Sequence, residues 1–389
     1  MSTTSGPQFS EISDAASKIR SDLERTFGRN PNKDRLIDRH IQHTAEAGWV
    51  PLKLKFDERV STYHIPAIGE TKAVVSLNLG CEGSALTAAT AINAARQKGI
   101  AFLAFSLVTR DSAGGDTREQ LRSSIASNSW TNVSSTSPLH ELYDTDRLPT
   151  FLVAQSSACA ITIDNMLHEG FAQRANATFD RAHLIVPFFD ASTAATGYPL
   201  DHLETMRQRI FAEAVRNTRN AVWAVHANVL GNGELGHGLD RIITGAKAPT
   251  VRMPTRKEGR TLQLYARDIL KQLETTPAHH PIFDMPMTSW MSPNDEASCP
   301  YSADYFSKLV GADVRTDEFK HMNLKKRMHW VTGDIRAELG EDVKTGDMPP
   351  LKSYKRPQPT VEDIVRQTGG VDHDLYEAPI GPPKAVLAM

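Results

Sequence analysis

Residues 77–84, Leu-Asn-Leu-Gly-Cys-Glu-Gly-Ser, place two glycines, a thiol and a hydroxyl where an apolar run gives way to a helical pattern. At such a junction main-chain N–H groups and a helix N-terminus face the carboxyl edge of a sheet, which is chemistry suited to an anion. Gly80, Cys81, Gly83 and Ser84 are therefore candidate ligand-binding residues. The segment completes neither the Gly-x-x-x-x-Gly-Lys-Ser/Thr nor the Gly-x-Gly-x-x-Gly phosphate motif. A nucleophilic Cys81 on a strained turn would need a small residue two positions earlier, and Leu79 stands there.

Two further loops follow apolar runs and belong on the same edge if those runs are parallel strands. One carries Asp111 and the other Asp190 and Ser192, all candidate ligand-binding residues. Asp190-x-Ser192 resembles the opening of a metal-ion-dependent adhesion site, but Ala194 stands where that motif needs an oxygen, so no metal is assigned. His237 sits in the glycine-rich run 231–238, a candidate contact loop in which a histidine could act as a base if a carboxylate oriented it. Nothing in the sequence supplies that carboxylate, so no catalytic residue is assigned, and no cofactor is named by any of these loops. Two basic clusters are where a nucleic acid would be held: Arg252, Arg256 and Lys257, and Lys325, Lys326 and Arg327 near Trp330. Leu324 and Met328 fall at helical spacing in the second, which also fits a helix with one face on the core.

The elements that must position these residues are clearest in the middle of the chain. Apolar runs at 73–79, 100–109, 151–155, 183–189 and 221–230 alternate with helical patterns at 84–98, 117–127, 158–174 and 201–218. Continuous apolar strands separated by helices predict an α/β fold, a mostly parallel sheet with helices on both faces. Before it, apolar residues 12, 16, 19, 23 and 27, then 36, 37, 41 and 45, predict an N-terminal helical hairpin. After it, prolines crowd residues 274–300, helical patterns return near 302–310 and 323–339, and an extended C-terminal tail begins at 344. The expected divisions are an arm and hairpin at 1–50, an α/β core at 51–273, an irregular and helical region at 274–343 and the tail at 344–389.

Composition narrows the class. Forty-four Lys+Arg against 46 Asp+Glu leave a net charge of −2, so any contact with nucleic acid must be local. Three scattered cysteines exclude a disulfide framework, and the first residues lack the pattern of an export signal, which points to an intracellular setting. Apolar runs of at most about ten residues are half of what a membrane span needs. The two tails, together with loops that each miss a specific motif, give as the leading expectation a self-assembling coat or shell subunit of a virus or phage. Its arms would exchange between copies, and its basic clusters would face a genome. The alternative is a cytoplasmic α/β enzyme or nucleotide-binding protein with its site at the sheet edge.

Overall fold

A computed structural model of the chain describes residues 14, 17, 21, 34, 35, 37, 38, 41–43, 47–52, 61–80, 85–106, 138–189, 256–295, 298–319, 323–343 and 348–355, the backbone alone at 106, 138 and 256–264. Nine strands form one sheet: β1 (Val50–Leu52), β2 (Ser61–Ile65), β3 (Ala73–Leu79), β4 (Ile100–Ser106), β5 (Thr150–Gln155), β6 (Arg181–Ile185), β7 (Met287–Met291), β8 (Asp313–Thr316) and β9 (Leu351–Ser353). Their order is β1-β2-β4-β3-β5-β6-β7-β8-β9. The six strands from β4 to β8 run parallel, while β1–β2, β2–β4 and β8–β9 pair antiparallel.

Alternation along each strand splits the core into two layers. Val74, Leu103, Leu152, Ala154 and Leu184 face α3 (Ser157–Met166), α4 (Glu169–Thr178), α5 (Arg256–Thr275) and α6 (Pro300–Val310). Val75, Leu77, Phe102, Val153, Ile185 and Trp290 face a 3₁₀ turn at Ala85–Ala88, α1 (Ala89–Arg96) and α7 (Leu324–Glu338). A short α2 (Pro138–Leu142) precedes β5. All seven residues of β3 and all six of β5 are buried, as expected for strands covered on both sides. The expected α/β class with helices on both faces is what the chain forms.

The order also locates a crevice. The chain leaves β3 toward β4 through α1 on one face, then returns across β3 to β5 and continues through α3 on the other face. β3 and β5 are thus neighbours whose helices depart in opposite directions, and in open α/β sheets ligands bind outside the carboxyl ends of such a pair.

Several boundaries differ from the expected ones. β6 ends at Ile185 because Val186 leaves the strand at φ +46°, and the pattern at 158–174 is two helices that meet at Leu167–His168. Residues 274–300, read as irregular from their prolines, contain β7 inside the sheet, and the tail supplies β9. The expected segments 117–127, 201–218 and 221–230 lie outside the described residues, as does most of the N-terminal hairpin. Residues 14, 17, 21, 34, 35, 37, 38 and 41 are helical, and Ile37 is fully buried. Among the described residues no helix is long and apolar enough to cross a membrane.

One core position carries a pH signature. His183, in the middle of β6, is fully buried, its ring lies 6.3 Å from that of Phe151, and neither ring nitrogen has a hydrogen-bond partner among the described residues. Burial, helped by the nearby Arg181 and Arg315 guanidiniums, pushes it down to about 3. The unfolded chain therefore takes up a proton below about pH 6.5 that the folded chain refuses, so stability falls as pH drops from there toward 3. The slope from this one group is about 1.4 kcal/mol per pH unit. His183→Leu is expected to make the acid limb of a stability-versus-pH curve shallower by one proton, checked by urea unfolding at pH 7, 6, 5 and 4.5. Parallel curves for the two proteins would show that His183 titrates normally.

Candidate active site

β5 ends and α3 begins within one residue, at Gln155-Ser156-Ser157-Ala158. Such a turn cannot be made in ordinary backbone, and Ser156 takes φ +56° and ψ −124°, a region in which a side chain is strained by roughly 1–3 kcal/mol. The surroundings hold it there. Its N–H donates to the Ile185 carbonyl at 2.9 Å, and its own carbonyl accepts from the N–H of Cys159 at 3.0 Å and of Phe188 at 3.3 Å. Ala154 and Ala158, two residues to either side, are fully buried and small enough to let strand and helix close on each other. Cys159 is sealed beneath: its thiol donates to the Ala154 carbonyl at 3.2 Å, and burial pushes it well above the usual thiol range. It is an inert packing thiol, not a nucleophile.

The end of β3 lies directly on this turn. A Cβ added at Gly80 would sit 2.6 Å from the Gln155 carbonyl oxygen, 2.8 Å from Ser157 Oγ and 3.0 Å from Ser157 N. Only a hydrogen fits there. The loop that leaves β3 therefore starts against the N–H of the residue after Ser156. An N–H at that position and another from the β3 loop are the two donors that bind a developing oxyanion when a serine on such an elbow attacks a carbonyl.

A carboxylate stands at the same edge. Asp295 follows β7, is 4% exposed, and its Oδ1 accepts from Ser298 N at 2.7 Å. Asp317, one residue beyond β8, is also buried, but both of its oxygens are taken: Arg327 Nε donates to Oδ2 and Nη2 to Oδ1, each at 2.7 Å, and Phe319 N donates to Oδ1 at 2.8 Å. That bidentate pair clamps the loop after β8 to the first turns of α7 and commits Asp317 to Arg327. Asp295 is the candidate acid. The two loops are tied together by Asp317 N to the Met291 carbonyl at 2.9 Å and by Asn294 Nδ2 to the Glu318 carbonyl at 3.1 Å.

No family model and no curated protein matches this chain. Among solved structures it is similar to a thermostable carboxyl esterase from Bacillus coagulans, at 11% identity over 75% of this chain and 97% of that one, with a TM-score of 0.41. It is similar also to Est1E from Butyrivibrio proteoclasticus (11% identity, 76% and 100% covered, TM-score 0.41) and to the thioesterase domain from the curacin biosynthetic pathway (12%, 74% and 98%, TM-score 0.44). Likeness this distant says nothing of this chain's chemistry, which rests on its own residues. The coat or shell expectation is nevertheless overturned, and with it the self-assembly, capsid and virion assignments. The solved structures it is similar to include esterases, lipases and a thioesterase, and the sheet edge that had seemed to lack a site carries a strained serine. What misled was the weight placed on the tails.

Of the residues singled out in the sequence, the fold brings Gly80 to the elbow. Cys81, Gly83, Ser84, Asp111, Asp190, Ser192, His237 and Arg252 lie outside the described residues. Arg256 and Lys257 open α5. In the second basic cluster Lys325 is exposed and Lys326 lies 5.3 Å from the centre of the Trp330 ring. Arg327, expected to face a nucleic acid, instead has no exposed surface, and its charge is spent on Asp317, so it is not a phosphate contact. Sequence reading missed Ser156 and Asp295. The signal for Ser156 was present: it has alanines at −2 and +2 and sits between an expected strand ending at 155 and an expected helix starting at 158. Asp295 gave no comparable signal, because β7 itself was hidden among prolines.

Proposed function

We propose that this chain is a serine hydrolase acting on carboxylic esters or thioesters, with Ser156 as the nucleophile. The observation that carries the reading is the strained backbone of Ser156 at the crevice between β3 and β5. A non-glycine residue is held at such a cost only where the surrounding structure fixes it, and such sites cluster where chemistry is done. Asp295 is the carboxylate. The base is supplied by His321: the segment between Phe319 and Asn323 contains this one histidine, and its placement lies outside the described residues. What supports it is chain order, since Ser156, Asp295 and His321 follow the serine, acid, histidine succession of hydrolases with this elbow.

In this scheme Ser156 Oγ attacks the substrate carbonyl while the histidine takes its proton, and the carbonyl oxygen gathers charge against Ser157 N–H and the β3 loop. Collapse expels the alcohol or thiol, which recovers the proton, and water then repeats the sequence on the acyl-serine. The test is labelling of the full chain with a fluorophosphonate, followed by peptide mass spectrometry, alongside turnover of 4-nitrophenyl butyrate. One adduct on Ser156 and ester turnover abolished by it are expected. No adduct, or an adduct on another residue with turnover intact, would sink the reading.

A further inference from the structure

Val186 is the second strained residue of this edge. Its φ of +46° is an outlier for a β-branched side chain, and it is 1% exposed. It stands where β6 must stop and turn, and the turn has several consequences. The preceding carbonyl, of Ile185, holds Ser156 N–H at 2.9 Å, and the N–H of Phe188 returns to the Ser156 carbonyl at 3.3 Å. Val186 N–H reaches across to the Trp290 carbonyl of β7 at 2.7 Å. The Val186 carbonyl, swung out of the strand, accepts from Ser298 Oγ at 3.3 Å. Ser298 in turn gives its own N–H to Asp295 Oδ1 at 2.7 Å and is 3% exposed. A single turn thus holds the nucleophile's backbone on one side and, through one hydroxyl, the acid's carboxylate on the other.

From this arrangement we infer that Ser298 is a positioning residue. Anchored on the strained Val186 carbonyl, it sets the carboxylate of Asp295 relative to the Ser156 elbow. The inference rests on the hydrolase reading above. In this reading Ser298 acts through Asp295, to which its N–H is bound. Its hydroxyl fixes the peptide whose N–H holds Oδ1, so its removal loosens that hold on the carboxylate and leaves the substrate's own contacts alone. The loss therefore falls on kcat and not on KM.

The experiment is a double-mutant cycle in the full-length chain, with 4-nitrophenyl butyrate turnover and the rate of fluorophosphonate labelling read on the same samples. Ser298→Ala is expected to lower kcat about tenfold, with KM unchanged, the size of coupling usual between neighbours in one network. Ser298→Cys keeps the volume with a much weaker donor, so it loses rate without opening a void. Ser298→Thr restores the donor and most of the rate. In an Asp295→Asn background, Ser298→Ala is expected to cost nothing further. An unchanged kcat in Ser298→Ala and Ser298→Cys, or the same further loss in the Asp295→Asn background, overturns the inference. A wild-type chain that takes no fluorophosphonate on Ser156 is a different failure, since it removes the hydrolase reading itself.

Discussion

Ser156→Ala is expected to lower kcat/KM for 4-nitrophenyl butyrate by a factor between about 10⁴ and 10⁶, the range found when the nucleophile of a serine triad is removed. Ser156→Gly should do the same, yet the two variants are expected to part in stability. Alanine keeps a Cβ at φ +56° and with it the strain; glycine relieves it. Relief of roughly 1–3 kcal/mol, less the 0.5–1 kcal/mol that glycine adds to the entropy of the unfolded chain, leaves Ser156→Gly more stable than Ser156→Ala by about 1 kcal/mol. Urea midpoints with equal slopes would show it. A dead enzyme that is sturdier than the living one is what a strained catalytic serine predicts, and a merely structural serine at this turn predicts no loss of rate. Full activity in Ser156→Ala would end the assignment.

The legible part of this chain and the hidden part follow from one physical difference. β3, β4, β5 and β6 are largely buried on both faces, so their sequences are mostly apolar, interrupted by isolated polar residues such as Ser76, Asn78 and His183, and the sheet class follows from them. β7 is as deep in the sheet, but its Met-Thr-Ser-Trp-Met holds two hydroxyl residues and follows a proline-rich approach, so nothing in its composition sets it apart. With β7 unrecognised, Asp295 had no reason to be placed at the carboxyl edge, and the candidate acid was lost with the strand. Ser156 was hidden differently. The requirement for small residues around a nucleophile was applied to Cys81, where it failed at Leu79. Alanine serves as well as glycine at Ala154 and Ala158, and with alanines there the motif is easy to pass over. Arg327 shows the converse error. A run of lysine and arginine reads as a surface, but helical spacing turned this one inward, where the charge is stable because Asp317 meets it at two points.

Gly80 is where fold and site coincide, and Gly80→Ala is the second large effect expected. The methyl group would be 2.6 Å from the Gln155 carbonyl oxygen and 3.0 Å from Ser157 N, both backbone atoms that no rotamer change can withdraw. β3 and β5 are paired along five residues, so they cannot spread, and the elbow must yield. Overpacking of this kind costs roughly 1–3 kcal/mol of stability. The displaced N–H of Ser157 loses the oxyanion, and removal of one such donor lowers kcat by a factor of about 10²–10³. The matched control is Gly170→Ala in α4, where a Cβ meets only Arg174 Nη1 at 3.8 Å. There the better helix former should stabilise the chain by up to about 1 kcal/mol and leave turnover alone. Equal activity in the two variants would mean that the loop after β3 lies too far from the reacting carbonyl to matter. A selective loss in Gly80→Ala would place that loop beside Ser157 N–H as the second wall of the site.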